Sequence, residues 1–454
     1  MSLLAQLLVG CTTAIVGAVA TGVVQRHKSP RSSRSAGRLR LVAVGAACWA
    51  VGFVAAVLAS RSWGSEQSLT IYSSFPQQHA DGGPNKRTDD VEKAIRLALN
   101  ESDGKADKFT IKYVPLDATD KTGAFSPQKI EENARTAAED DKTAVYIGDY
   151  TSSASIESIP ILSRAGVPQI SPASTRVGLT VGDSLSDVEE PDKYYGVGSR
   201  NFVRIIPNDD VQAAALGALM RKDGCRKVAI IYDGQDYSQG LSVLMGLIKG
   251  PRRIFSEDGR PNERSTRYER LARQAKTAGV DCFIYMGADN PNTFEIFNAF
   301  ASELPDAQLY GTDGVSEDSL TEADGDLGPF ATRVKLMVPP RDLTRYSGFQ
   351  RDFENAYHGD SPDPDAIYGY EAMKLALDAI RESGSGTRAD ILEQLTSSRE
   401  RDGLLGAYSI DSKGDTTLID YDIFTFGQGK SSPKRAARQK ILEKSVEDLR
   451  QRKE

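Results

Sequence analysis

The sequence predicts an α/β protein built as two lobes and preceded by a two-helix membrane hairpin, on three observations. From Leu69 onward, short β-branched runs alternate with amphipathic stretches of helical period, the signature of parallel, doubly wound layers. The alternation starts again after NFVRIIPND, which divides the chain into two successive units. Ahead of both stand two uncharged apolar segments, residues 3 to 24 and 41 to 60, each near the length that spans a bilayer.

The hairpin rests on the stretch between those segments. QRHKSPRSSRSAGRLR carries Arg26, Lys28, Arg31, Arg34, Arg38 and Arg40 and no acid, which the positive-inside rule places on the cytoplasmic side. Residues 1–65 then form the hairpin, and the chain from Ser65 is extracytoplasmic. Two other readings compete. LVGC ending at Cys11 resembles a lipoprotein cleavage site, and Val57, Leu58 and Ala59 form a small-residue cleavage box behind a long signal peptide. All three export the domain that follows.

In that domain LTIYSS, FTIKYVPLD, TAVYIGDY and VPQIS read as strands. DDVEKAIRLALNES, with Asp89 and Asp90 as candidate caps, PQKIEENARTAAEDD and SIPILSRAG read as helices between them. After NFVRIIPND comes DDVQAAALGALMRKDG, a helix capped by Asp209 or Asp210. The strands KVAIIYDG, DCFIYMGAD and AQLYGTDG follow, with ERSTRYERLARQAKTAG and NTFEIFNAFASELP as helices. VKLMVPP adds a strand, YSGFQRDFENAYHG and AIYGYEAMKLALDAIRES add two helices, and LLGAYSIDSKGDTTLIDYDIFTF reads as two strands around a Ser-Lys-Gly-Asp turn. Residues 430–454 read as a basic, solvated helix.

At 454 residues the chain is too long for one core. Its net charge of −7 is unevenly spread: +6 up to Glu66, +5 from Lys430 on, and −18 between. An acidic central domain repels phosphates, so no nucleic-acid partner is expected. The sequence has three histidines, His27, His79 and His358, and lacks the GxSxG, HExxH, GxxxxGK[ST] and GxGxxG patterns. Of four cysteines, Cys11 and Cys48 fall in the apolar segments, and Cys225 and Cys282 have no zinc-site spacing. No catalytic residue, metal or cofactor is expected. The paired acids Glu189-Glu190 and Asp363 with Asp365 read as solvated loops.

The chain instead places polar residues at the C-terminal ends of its strands, where open α/β sheets bind ligands. Thr151, Ser152 and Ser153 follow VYIGDY, and Ala173, Ser174 and Thr175 follow VPQIS. Gln235, Asp236 and Tyr237 follow VAIIYDG, Ala288 and Asp289 follow FIYMG, and Asp313 follows QLYGT. Any one cluster is explained as a helix cap. Together they suit a ligand with a carboxylate at one end, held by hydroxyls and helix N-termini, and an ammonium at the other, held by an acid.

The order of IYSSFPQQ, VYIGDYTSSASIESIPILSRAGVPQISPAST, NFVRIIPNDDVQ, KVAIIYDGQDYSQG and LYGTDGV resembles the type I periplasmic binding proteins of the branched-chain amino-acid family, the substrate-binding subunits of ABC importers. The resemblance implies two Rossmann-like lobes joined by crossover segments and closing on a ligand. Lobe 1 would comprise 66–205 and 334–388, lobe 2 206–333 and 389–429, with 430–454 as tail. It implies a ligand carboxylate held by Ser152, with Ser153 as neighbour, and by Ala173 and Thr175. Tyr237 would supply an aromatic wall and Asp313 would meet the ammonium. Two departures stand out: Ala288-Asp289 replaces the family's second aromatic, and Asp313 is shorter than the family's Glu. The family also holds receptors for amides, urea and aromatic acids. Cys225 would precede the first strand of lobe 2 and Cys282 open the third, its sheet neighbour, either as a disulfide or as two buried thiols.

The expected function is therefore an extracytoplasmic solute-binding protein that takes an amino acid or related small polar metabolite to an ABC permease. A ligand sensor signalling to a membrane partner, and an α/β hydrolase using the same cleft, are the alternatives.

Overall fold

The computed structural model describes residues 67–427, apart from short stretches at 79–82, 121–125, 183–188, 249, 259–264, 291, 317–319 and 321–327, and beyond them residues 434–440 and Val446. The expected hairpin at 1–65, with its rival cleavage sites, lies outside the described residues. Among those described, no helix is long and apolar enough to cross a membrane.

The first lobe runs through β1 (Gln67–Phe75), α1 (Lys86–Asn100), β2 (Lys105–Ala106), β3 (Phe109–Asp117), α2 (Pro127–Glu139), β4 (Thr143–Ile147), α3 (Ser152–Arg164), β5 (Gln169–Ser171), α4 (Asp192–Tyr195) and β6 (Phe202–Arg204). The strands order as β2-β3-β1-β4-β5-β6, parallel from β3 to β6. Helices cover both faces, so both sides of each strand are apolar. Ile71, Val145 and Ile170 face one way, against Val91 and Ile95 of α1. Tyr72 and Tyr146, one residue on, face the other way, against Ala134 of α2 and Leu162 of α3. Each fully buried aliphatic side chain contributes about 1.5 to 3 kcal/mol. The helix starts follow local capping: Ser126 accepts from Lys129 N and Thr151 from Ala154 N. Asp89 and Asp90 do not cap α1. Asn85 does, by accepting from Thr88 N, so the helix begins earlier and Asp90 is buried against Lys93 and the Asp363 amide.

The second lobe holds α5 (Asp209–Lys222), β7 (Lys227–Tyr232), α6 (Asp236–Met245), β8 (Arg252–Asp258), α7 (Ser265–Thr277), β9 (Cys282–Met286), α8 (Thr293–Glu303), β10 (Gln308–Gly311) and β11 (Val334–Val338). α9 (Ser347–Ala356), α10 (Ala366–Ser383), α11 (Arg388–Leu395), β12 (Arg401–Gly403) and β13 (Gly406–Tyr408) return to the first lobe. β14 (Asp420–Thr425) and β15 (Lys434–Lys440) close the second sheet. That sheet orders as β15-β14-β11-β10-β9-β7-β8, with β14 and β15 antiparallel. Phe283, Tyr285 and Leu309 pack against Phe297 of α8 on one face; Ile230, Ile284 and Met286 pack against Leu216 of α5 on the other.

Three segments carry the chain between the sheets, and two boundaries differ from the expected ones. β11 pairs in parallel with β10, so the second crossover falls after Val338 rather than at 334. Ile391, Leu395, Tyr408 and Ile410 pack in the core of the first lobe, so the third crossover falls just before β14 rather than at 389. Two further readings are corrected. β13 pairs with β12 instead of forming a hairpin with β14, and residues 434–440 of the basic tail form a strand on β14 rather than helix. The Cα atoms of Cys225 and Cys282 stand 5.9 Å apart, within the span a disulfide bridges, and the structure joins them. Cys225 lies two residues before β7 and Cys282 opens β9, its sheet neighbour.

Candidate ligand-binding site

The C-terminal ends of β4 and β5 in the first sheet, and of β7, β9 and β10 in the second, carry the polar clusters toward the gap between the lobes. On the first lobe, Thr151 caps α3, so Ser152 and Ser153 occupy its first turn. Ser152 is buried and accepts from Arg176 N at 3.2 Å, which leaves its O–H to donate. Ser171 organises the next turn by accepting from the amides of Ala173 (3.2 Å) and Ser174 (2.9 Å). Ser174 is buried against Ser155 Oγ (2.8 Å), so it acts as a spacer between Ala173 and Thr175. Thr175 is buried, and its carbonyl accepts from Asp209 N, at the start of α5, at 2.9 Å.

On the second lobe the phenol of Tyr237 donates to Asp313 Oδ1 at 2.6 Å, and Gln212 Nε2 donates to the same oxygen at 2.6 Å. Burial raises the Asp313 carboxyl, and its two donors oppose that rise. The close approach of the β9 and β10 ends requires glycine: a Cβ on Gly314 would strike the Gly287 carbonyl.

The two faces touch directly. Ser153 Oγ donates to Asp236 Oδ2 at 2.8 Å, the Arg176 guanidinium donates to the Asp236 carbonyl, and Arg87 Nη2 lies 3.5 Å from Asp289 Oδ2. Thr175, Tyr237 and Asp313 come together around Asp209. Ser153 meets a different part of lobe 2, the first turn of α6.

Several residues that position this site are absent from the sequence-based expectations. Arg204, fully buried at the end of β6, donates to the carbonyls of Ser174 (3.0 Å) and Arg176 (2.7 Å), and so holds the Ala173–Thr175 turn from behind. Its charge is met by Asp415 Oδ1 at 2.7 Å, brought by the third crossover. Of the acids read as solvated loops, Glu189 is exposed as expected, but Asp365 and Glu190 are held in ion pairs. Asp365 is paired with Arg341 at 2.9 Å, accepts from Tyr150 at 2.7 Å and lies 3.8 Å from Arg87. Burial pushes its carboxyl up, but Arg341 and Arg87 outweigh this and hold it low. Glu190 is buried against Arg176 at 2.8 Å. A lone Arg in the apolar run NFVRII was the available signal for Arg204; nothing local marked the rest.

The family model for periplasmic binding proteins matches residues 81–430. The Leu/Ile/Val-binding protein homolog 2 of Brucella abortus is 25% identical over 360 residues, which cover 75% of this chain and 86% of that protein. Among solved structures, a leucine binding protein from Thermotoga maritima superposes with a TM-score of 0.66 at 21% identity, covering 82% of this chain and 98% of its own. A Rhodopseudomonas palustris solute binding protein solved with p-hydroxybenzoic acid superposes with a TM-score of 0.66 at 14% identity, covering 83% and 98%. These likenesses carry the fold, and the family match spans most of the sequence: the chain belongs to the type I periplasmic binding proteins, in the branched-chain amino-acid transporter family.

Proposed function

We propose that this is an extracytoplasmic solute-binding protein that closes its lobes on an amino acid or a related small polar metabolite and hands it to an ABC import permease. The observation that carries the reading is the opposition of two chemistries across one cleft. Hydroxyls and a helix N-terminus at Ser152, Ser153 and Thr175 suit a carboxylate, and Tyr237 with Asp313 suits an ammonium. In this reading Ala173 lies against the ligand through its backbone. Contacts such as Ser153 with Asp236 form only when the lobes are together, so a ligand that bridges both faces shifts the population to the closed state. We further propose that the segments within 1–65 keep the domain at the outer face of the membrane. The names of the Brucella abortus and Thermotoga maritima relatives support an amino acid as the ligand class.

The test is a thermal-shift screen of the full chain against the twenty amino acids and a set of hydroxybenzoates. A ligand at a hundred times its Kd stabilises by about 2.7 kcal/mol, roughly several degrees for a protein of this size. The reading expects at least one amino acid to give that shift; shifts confined to the hydroxybenzoates would remove it.

A further inference from the structure

The lobe 2 side of the cleft holds more acceptors than donors. Asp209 is 1% exposed, and because Asn208 takes the capping role on α5, its side chain is not spent on the helix. Neither oxygen of its carboxylate makes a well-formed hydrogen bond; the Thr175 hydroxyl beside it offers at best a weak one. Burying a carboxylate this way is costly, and the neighbouring charge of Asp313 adds to the cost. Independently, the hydroxyl of Tyr421, on β14, is fully buried beside both acids without a hydrogen-bond partner.

The cations within reach are already committed. Arg204 is bonded to Asp415, Arg176 to Glu190 and Arg341 to Asp365. Asp313 is served by the neutral donors Tyr237 and Gln212. Two adjacent carboxylates, Asp209 fully buried and Asp313 partly so, therefore lack a cation of their own. An ammonium, with three N–H donors, can serve both. A neutral zwitterion, whose own carboxylate cancels its ammonium, leaves the pair uncompensated.

We propose that Asp209 is a second ligand-binding carboxylate, sharing the cationic end of the ligand with Asp313, and that the cleft selects amines of net positive charge, such as basic amino acids, over neutral zwitterions. The inference rests on this cleft being the ligand site, as in the function proposed above.

The test is calorimetric titration of the full chain, wild type, D209N and D313N, with L-lysine, 1,5-diaminopentane, L-leucine and 4-hydroxybenzoate. Expected is at least tenfold tighter binding of L-lysine or the diamine than of L-leucine. D209N should reduce that preference to within threefold, and D313N should weaken every amine. D209N should also melt above the wild type without ligand at neutral pH, because folding no longer has to bury a charge or take up a proton at residue 209; a residue that merely supports the fold would melt lower. L-leucine binding as tightly as the cationic probes, or a preference that survives D209N, overturns the inference and leaves the amino-acid reading standing. Binding of the diamine without either amino acid keeps the inference and removes the amino-acid reading. Heat from 4-hydroxybenzoate alone, or from none of the four, removes both.

Discussion

Two buried aspartates, one in each lobe, show how differently the two sides of the cleft are built. Asp149, at the end of β4, accepts from Tyr146 at 3.1 Å, from Ser158, and from Gln169 at 3.4 Å. Asp209, at the start of α5, has no comparable donor. Burial raises both carboxyls, to about 7 for Asp149 and about 8 for Asp209. On the first-lobe side of the cleft, Asp149 is wrapped in side-chain donors, and the Ala173–Thr175 turn is pinned by Arg204. The second-lobe side presents acids whose demand is not met within the chain. The difference separates a rigid face, which needs no ligand to be stable, from a face whose stability a cation would raise.

The largest effect is expected from breaking the rigid face. R204M should cost about 3 to 5 kcal/mol, because it strands Asp415 as a buried charge. Chemical denaturation with an unchanged slope would measure it. A loss below about 1 kcal/mol would mean that the Arg204–Asp415 pair does not support the turn.

On the other face, D313A should leave the fold intact and weaken the amino acid found in the screen by roughly 30- to 100-fold, the scale of a lost charge-assisted contact. Calorimetry reads this directly, and a change within threefold would move the ammonium site elsewhere.

A change of slope, rather than of absolute stability, separates the two aspartates by pH. A carboxyl raised in the fold binds its proton more tightly there than in the unfolded chain. Its contribution is therefore favourable at low pH and is lost as pH rises from about 4 toward the folded value near 8, at up to about 1.4 kcal/mol per pH unit. The charged groups acting on Asp209, namely Asp313, Arg204 and Arg176, are otherwise paired or hydrogen-bonded. The ligand-free D209N variant should thus show a shallower decline across that window than the wild type. D149N retains neutral donors and acceptors around it and should change the slope over a range ending near 7. Parallel curves for D209N and the wild type would contradict the raised Asp209 carboxyl.

Much of the architecture was legible because periodicity is local. Strand runs such as TAVYI, and helix signals such as the Ser126–Pro127 start, need only neighbouring residues. The clusters at the strand ends were legible for the same reason: topology places them once the strands are found. The buried charges were not, because their partners come from distant crossovers. Arg204 finds Asp415 only at the third crossover, and Asp365 reaches Arg87 only after the chain has passed between the lobes twice, where Arg341 joins it. Asp363 and Asp365 look like a solvated loop to any local rule. VKLMVPP reads as a strand, but nothing within it says which sheet it joins; Leu336 settles that by packing on the lobe 2 core. Asp209 was legible as a helix start, and its other role emerged only when Asn208 was seen to be the cap.

The central claim is a division of labour, with lobe 1 holding the carboxylate and lobe 2 the ammonium. Titrating the wild type and T175A with the preferred amino acid and with its decarboxylated amine tests it most directly. The account predicts that T175A weakens the amino acid by about tenfold, the scale of one hydrogen bond to a charged group, and leaves the amine within twofold. Equal losses for both ligands, or none for either, would contradict it.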